Sequence, residues 1–351
     1  MVAASESSYP AVVDLFCGAG GLSYGLQKAG VTVVAGIDID PVCRHPFEAN
    51  VAARFHVRDI AEVSAEFVAS LYPEADPRVL AGCAPCQPFS SYTRGGGTGG
   101  GRWGLVDKFG ALVAELKPEV VTMENVPRLT GRSVFERFLS VLREAGYQYT
   151  HSVVRCAAYG VPQTRSRLVL LASQLGRIDL AAPTHPDSGW VTVRDTIGHL
   201  ESIPAGGTGS SDALHRASGL SEQNLRRIRE AKAGGTWRDW DETLRAPCHT
   251  RPSGRTYPGV YGRMEWDRPA PTITTQFHGF GNGRFGHPDQ DRAISLREGA
   301  LLQTFPADYS FVPEGTSVKI GPVARLIGNA VPVKLGEAIG RSIMDHLKEK
   351  S

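Results

Sequence analysis

The residues most able to do chemistry stand together in Gly82-Cys83-Ala84-Pro85-Cys86-Gln87-Pro88-Phe89-Ser90. The apolar run Val79-Leu80-Ala81 before them predicts a buried strand, and a thiol at a strand's carboxyl end lies where α/β sheets bind ligands. Cys86 is therefore a candidate nucleophile. A redox or zinc Cys-x-x-Cys and a buried structural cysteine are the competing readings. Zinc requires about four ligands, and the later pair Cys248-His249 has no second Cys-x-x-Cys beside it. A carboxylate follows at Glu124-Asn125-Val126-Pro127, after the apolar run Glu119–Met123. Partly buried at a strand end, it can act as a proton donor; a capping or solvent-facing glutamate is the plainer alternative. Gln163-Thr164-Arg165-Ser166-Arg167 leads into Leu168–Leu171. Alternate residues of an extended segment share a face, so Gln163, Arg165 and Arg167 are expected to point at one site.

Near the start, Asp14-Leu15-Phe16-Cys17-Gly18-Ala19-Gly20-Gly21 ends a strand and opens a helix. Glycines there let a ligand approach the backbone and leave helix amides free for an anionic group. Tight strand-to-helix turns need glycine in any case. Gly36-Ile37-Asp38-Ile39-Asp40 sets a carboxylate at the end of the second strand, about 20 residues on, where it can hold ribose hydroxyls. The turn is not Gly-x-Gly-x-x-Gly, so a mononucleoside ligand is favoured over a pyrophosphate dinucleotide. Arg58-Asp59-Ile60 offers a further contact to an adenine, although Asp59 by itself reads first as a helix N-cap.

These segments must be positioned by regular elements. Ala11–Cys17, Val31–Ile37, Val79–Gly82, Glu119–Glu124 and Arg167–Ala172 read as strands. Leu22–Ala29, Val42–Val51, Ala61–Leu71, Asp107–Leu116 and Val134–Ala145 show helical spacing. The alternation predicts an α/β fold with a parallel, doubly wound sheet. It stops near Ala181-Ala182-Pro183. Beyond lies a Gly-, Pro-, Arg- and Thr-rich stretch with one clear helix, Ser221–Ala233, capped by Ser221 and stopped by Gly234-Gly235. Val333–Lys348 has the spacing of a helix that packs back on the first domain. The expected organisation is a flexible N-terminus (1–10), a first domain (11–182), a small loop-rich domain (183–288) and a returning segment (289–351).

The 351 residues are 41% hydrophobic and 21% charged, which fits an ordinary globular protein. Met1–Pro10 lacks a basic start and an apolar core, so no secretion signal is expected. No apolar stretch approaches the roughly 20 residues of a membrane span. The six scattered cysteines are accordingly expected as reduced thiols of a cytoplasmic protein. Net charge is only +2, but His215–Arg292 holds thirteen Lys+Arg, twelve of them Arg, against nine Asp+Glu. That balance suits phosphate and guanine edges, and equally a solvated surface.

In this order the segments Asp14–Gly21, Gly82–Ser90, Glu124-Asn125-Val126, Gln163–Arg167, Gln303-Thr304-Phe305-Pro306 and Gly328-Asn329-Ala330-Val331-Pro332 resemble the DNA cytosine-5 methyltransferases. The resemblance spans nearly the whole chain. It implies a Rossmann-like S-adenosylmethionine methyltransferase fold with a smaller target-recognition domain, acting on double-stranded DNA. It implies that Cys86 attacks carbon 6 of cytosine, that Glu124 contacts N3, and that Arg167 holds O2 with Arg165 supporting the site. For S-adenosylmethionine it implies Phe16, Gly18, Gly20 and Gly21 in the turn, Asp38 at the ribose, and Ile39, Asp59 and Ile60 about the adenine. Pro85, Leu105, Asn329 and Val331 complete that pocket. Gln87, Ser90, Thr274 and Arg284 fall in segments that resemble the family's DNA contacts, and Arg251, Arg255 and Arg263 are candidates for guanine edges. No metal is implied.

Two departures stand out: Gly-Cys-Ala precedes the nucleophile, placing Cys83 nearby, and Asp38 stands where many relatives have Glu. The run Thr93–Gly104, with six glycines between 95 and 101, suits a lid over a flipped nucleotide, or a plain linker. A monomer is expected, with a cognate restriction nuclease or another defence protein as a candidate partner. The alternatives are the family's branch that methylates transfer RNA and a catalytically silent DNA-binding relative.

Overall fold

A computed structural model describes residues 10–74, 77–85, 104–251 and 258–350, apart from the side chain of Cys248. The chain forms two compact units. Unit 1 draws its described residues from Met1–Arg155, Ser166–Ala182 and Val333–Ser351; unit 2 draws them from Cys156–Arg165 and Pro183–Pro332.

Unit 1 runs β1 (Ala11–Leu15), α1 (Gly21–Lys28), β2 (Thr32–Asp38), α2 (Arg44–Val51), β3 (Arg54–Val57), α3 (Ala65–Ala69), β4 (Arg78–Gly82), α4 (Gly104–Leu116), β5 (Val120–Asn125), α5 (Ser133–Glu144), β6 (Gln148–Arg155) and β7 (Ser166–Ser173). The sheet order is β3-β2-β1-β4-β5-β7-β6. Strands β1 to β5 pair in parallel, as their crossover helices require. The all-parallel expectation is corrected at the far edge, where β7 runs antiparallel to both β5 and β6. No crossover helix separates β6 from β7, so the chain can only reverse.

The core is made by strands with continuous buried runs, such as β1 and β5, and by helices that bury one stripe. Helix α4 buries Val106, Phe109, Leu112, Val113 and Leu116, and α5 buries Val134, Phe135, Phe138, Leu139 and Leu142. The rings of Phe109 and Phe138 meet at 5.4 Å. On the carboxy-terminal helix (Val333–Lys350), Gly336 lies against Leu22 of α1; a Cβ on it would come within 2.9 Å of the Leu22 carbonyl. A Cβ on Gly25 would collide with the Val333 carbonyl. Glycine is needed here for backbone approach, not for an unusual φ.

Unit 2 contains α6 (Val193–Ile197), α7 (Glu222–Glu230), α8 (Pro247–Thr250), α9 (Leu296–Leu302) and α10 (Ile320–Asn329), which makes the carboxy-terminal helix α11. Ser221 caps α7 by accepting from the Asn224 amide. A small core gathers Ile228, Trp237, Trp240, Phe280 and Ala293. His249 stacks on Trp237 at 4.4 Å. Among the described residues the remainder is held by isolated bridges and by buried arginines such as Arg263 and Arg292.

The division differs from the expected one in two places. Cys156–Arg165 belongs to unit 2, where the Thr164 amide donates to the Ala270 carbonyl (2.8 Å). The segment 289–332 also belongs to unit 2, and within 289–351 unit 1 takes the stretch from Val333. Ala293 lies in the small aromatic core, and the Gly328 backbone packs directly on Thr274-Thr275.

Candidate active site

The carboxyl ends of β1, β2, β4 and β5 bring the sequence motifs to one edge of the unit 1 sheet, the edge at which parallel sheets bind ligands. After β1 the chain turns through left-handed residues at Phe16 (φ 60°), Gly18 (52°) and Gly20 (88°). α1 starts at Gly21 with no side-chain cap on its first amides. Among the described residues, a Cβ on Gly18 would meet nothing within 4 Å. Asp38, at the end of β2, accepts the Gly18 amide on Oδ2 (2.9 Å) and the Asp40 amide on Oδ1 (2.9 Å). Burial raises its carboxyl above the ordinary range, against the lowering effect of those amides. The short Asp38 side chain is thus fixed by the turn it serves. The adjacent Ile39 is 55% exposed, a large apolar side chain free to cover a ligand ring.

Two further carboxyl groups separate by environment. Asp59 accepts the Ala61 amide (2.9 Å) and caps a helical turn, as its plainer reading has it. Ile60 is buried in the main core, with Phe16 and Leu105 packed at the margin of that core. Asp14 is fully buried; Oδ2 accepts the Ser23 hydroxyl (2.6 Å), and Oδ1 has no hydrogen-bond partner among the described residues. Burial pushes its pKa to about 7. The neighbouring Cys17 is buried and its thiol is pushed well up, by burial first and then by Asp14 and Asp38, which makes it inert.

At the ends of β4 and β5 the contacts tighten. The Cys83 amide continues the β4–β1 ladder by donating to the Leu15 carbonyl (3.3 Å). Its thiol donates to Glu124 Oε2 at 2.8 Å. Glu124 is 2% exposed, and Arg167 Nε lies 2.8 Å from its other oxygen, Oε1. Asn125 donates from Nδ2 to the Ala84 carbonyl (2.9 Å) and accepts the Val126 amide on Oδ1 (2.8 Å). It thereby clamps the residue two before Cys86. The reversed β7 explains the ion pair. Val169 pairs with Glu124 in the antiparallel register, so the start of β7, with Arg167, meets the carboxyl end of β5. A parallel β7 would have carried Arg167 to the opposite edge.

Arg165 lies outside β7 and belongs to unit 2. It is buried and donates from Nη1 to the Ile273 carbonyl (2.9 Å) and from Nη2 to the Ala330 carbonyl (3.5 Å). Gln163 is fully buried; its Nε2 donates to the Leu302 carbonyl and to Gln303 Oε1, while its Oε1 accepts the Ile273 amide. Of Gln163, Arg165 and Arg167, expected on one face, the first two lie in unit 2 and the third in unit 1. The strand begins only at Ser166, so the alternation does not extend back to 163. Gln163 and Arg165 converge on Ile273, and Arg167 on Glu124.

Among the DNA candidates, Arg263 is corrected. It is 6% exposed, and its guanidinium donates to the carbonyls of Ile228, Ala231, His287 and Gln290 and pairs with Asp291. It holds unit 2 together and has no edge left to read a base. Arg284 is half-buried and donates to the Gly235 carbonyl (2.7 Å). Arg251 and Thr274 are exposed, as is Asn329 at the end of α10; Val331 is buried. Pro85 is exposed. Cys86, Gln87, Ser90 and Arg255 lie outside the described residues. Among the described residues no three His, Cys, Asp or Glu side chains gather as a metal site, and no helix is long and apolar enough to cross a membrane.

The family description "C-5 cytosine-specific DNA methylase" matches residues 11–345. The chain belongs to that family. This C-5 cytosine-specific DNA methylase is 51% identical over 341 residues to the Type II methylase M.HgiDII of Herpetosiphon aurantiacus, covering 96% of each chain. It is 31% identical to the Type II methyltransferase M1.HphI of Haemophilus parahaemolyticus, across 95% of this chain and 86% of the relative. Its fold is similar to that of a candidate DNA modification methyltransferase encoded within an E. coli prophage, with a TM-score of 0.73 at 22% identity over 96% of this chain and 99% of that one. The S. pombe Dnmt2 methyltransferase has the same fold, with a TM-score of 0.69 at 17% identity and coverage of 96% and 99%. The methylase uses S-adenosylmethionine and acts on carbon 5 of cytosine in DNA. The glycine turn, the uncapped amides of α1 and the fixed Asp38 fit that donor.

Two contacts made by this edge were not expected from sequence. The Asn125 clamp was signalled by the Glu-Asn-Val motif but not read from it. The Cys83–Glu124 contact crosses two strands and carried no sequence signal beyond the unusual cysteine.

Proposed function

We propose that this methylase modifies a cytosine flipped out of a specific duplex DNA sequence, through a transient bond from Cys86 to carbon 6. The observation that carries this reading is the Glu124 carboxyl group. It is buried between the Cys83 thiol and the Arg167 guanidinium at the ligand-binding edge of the sheet, beside the segment that leads into Cys86. Cytosine carbon 5 is a poor nucleophile, and adding a thiolate at carbon 6 makes the ring enamine-like and splits one hard step into easier ones. In this reading Glu124 donates a proton to N3 as negative charge develops in the ring and takes it back when the adduct breaks down, and Arg167 holds O2. A free thiol of pKa ~8.5 is only a few per cent thiolate at neutral pH, so Cys86 works best in a positive field. Arg167 is one source, with Arg165 assigned a supporting role. Once carbon 5 carries the methyl group, loss of its proton to a water molecule would restore the 5,6 double bond as the carbon 6–sulfur bond breaks and the Cys86 thiolate leaves.

Bound S-adenosylmethionine supplies an electrophilic methyl group. Phe16, Gly18, Gly20, Gly21, Asp38 and Ile39 would hold it, with Asp59, Ile60, Pro85, Leu105, Asn329 and Val331 as the remaining contacts. Flipping costs a few kcal/mol of unstacking, and Gln87, Ser90, Thr274, Arg251, Arg255 and Arg284 are assigned to the DNA that repays it. The enzyme is read as a cytoplasmic monomer of a bacterial modification system, alongside a cognate restriction nuclease or another defence protein.

Bisulfite sequencing of a plasmid from an expressing host tests the reading. Protection of one cytosine within one recurring sequence is expected. Uniform conversion of the plasmid, or methyl transfer to transfer RNA in place of duplex DNA, would overturn it.

A further inference from the structure

Cys83, at the end of β4 and three residues before Cys86, is a thiol that the chemistry above does not use. A residue with no donor in its place would leave Glu124 Oε2 buried and without this partner, a state that costs more than the hydrogen bond itself contributes. Among the described residues the carboxyl group is ion-paired with Arg167, which approaches Oε1 without an aligned hydrogen bond. A group held from one side can rotate about its last side-chain bond, because such terminal torsions are broad. The thiol closes that freedom from the other side. Its position is itself set by the backbone, since the Cys83 amide is tied to Leu15 and the following Ala84 carbonyl to Asn125. The three groups come from consecutive neighbours in the sheet: the end of β4, β5 and the start of β7.

We propose that Cys83 is a positioning residue of the methyl-transfer reaction: its thiol donates to Glu124 Oε2 and, with Arg167 on Oε1, fixes the plane in which the carboxyl group meets the pyrimidine. The inference rests on the reading that Glu124 contacts the base. Three consequences separate it from a packing role. A hydroxyl can replace the thiol as donor, so serine retains function. An apolar side chain of similar size cannot, so valine loses function although it fills the space. The loss falls on kcat, since the cofactor turn and its contacts are untouched.

The test uses the full chain as wild type, Cys83→Ser, Cys83→Ala, Cys83→Val and Cys86→Ser. Methyl transfer from tritiated S-adenosylmethionine to unmethylated plasmid DNA gives kcat and the KM for the cofactor, and thermal melting reports folding. Covalent capture is followed on the same plasmid amplified with 5-fluorodeoxycytidine triphosphate. Cys83→Ser is expected within about twofold of wild type. Cys83→Ala and Cys83→Val are expected to lose about tenfold or more in kcat, with the cofactor KM and the melting temperature unchanged. Wild-type kcat in alanine and valine, or equal loss in serine, alanine and valine, would overturn the positioning role. Methyl transfer or covalent capture by Cys86→Ser would instead overturn the underlying reading of the site, and leave wild-type behaviour at Cys83 to be judged from its own variants.

Discussion

At the residue scale, reactivity turns on the surroundings of Glu124. A carboxyl group 2% exposed, set between a thiol and a guanidinium, has no solvent shell to reorganise when the base arrives. Glu124→Gln keeps the shape and removes the group's capacity to give and take back a proton; it is expected to lower kcat by roughly 10²-fold or more while the cofactor KM stays put. Steady-state kinetics with plasmid DNA check this, and a full-rate glutamine variant would contradict it. Asp14 gives a prediction of different kind. Burial raises its pKa from 3.8 to about 7 in the folded chain, so between those values the folded state holds a proton that the unfolded chain has lost. Stability therefore falls as pH rises through this window and levels off near its upper end. Asp14→Asn has no such proton to lose. From pH 5 to 7 the wild type should lose on the order of 2–3 kcal/mol relative to the asparagine variant. Parallel melting curves across that range would show that the buried carboxyl does not titrate there.

At the element scale, the strands that were legible in the sequence are those buried on both faces. Val12, Val13 and Leu15 in β1, or Val120, Val121 and Met123 in β5, form apolar runs because helices cover the sheet. β6 was not legible: it is an edge strand, largely exposed, and its sequence Gln-Tyr-Thr-His-Ser-Val-Val-Arg has no buried run to betray it. Without β6 the direction of β7 was also hidden, and with it the reason why Arg167 faces Glu124. Helices α9 and α10 were missed within a segment whose motifs drew attention instead. The arginine-rich composition of unit 2 concealed a further distinction, because a buried cross-linking Arg263 and an exposed Arg251 look alike in sequence. The α1–α11 contact was legible as helix packing but not in its closeness. Gly25→Ala sets a methyl group against the Val333 carbonyl and should cost about 1–3 kcal/mol. Gly131→Ala, where a Cβ meets nothing within 4 Å, serves as the control and should melt like wild type. Equal melting of both variants would mean that α1 and α11 are not in such close contact.

At the scale of the whole molecule, the proposed reading has unit 2 select the substrate, and backbone and base contacts can be told apart by salt. Each phosphate contact contributes about −0.9 to the slope of log affinity against log salt. Arg251→Ala, at an exposed arginine, should weaken duplex binding and reduce that slope by about one while leaving the fold intact. Arg263→Ala should instead expose unit 2 to limited proteolysis, because four carbonyl groups and Asp291 lose their shared donor. An Arg263→Ala protein that resists protease and merely changes sequence preference would restore that arginine to base reading.

The central claim is that Cys86, and no other thiol, bonds to the target base. The most direct measurement incubates the full chain with S-adenosylmethionine and plasmid DNA amplified with 5-fluorodeoxycytidine triphosphate, digests the complex, and maps the modified peptide by mass spectrometry. The account predicts one adduct, carried on Cys86 and absent from Cys86→Ser. An adduct on Cys83, or none on a protein that still methylates DNA, would contradict it.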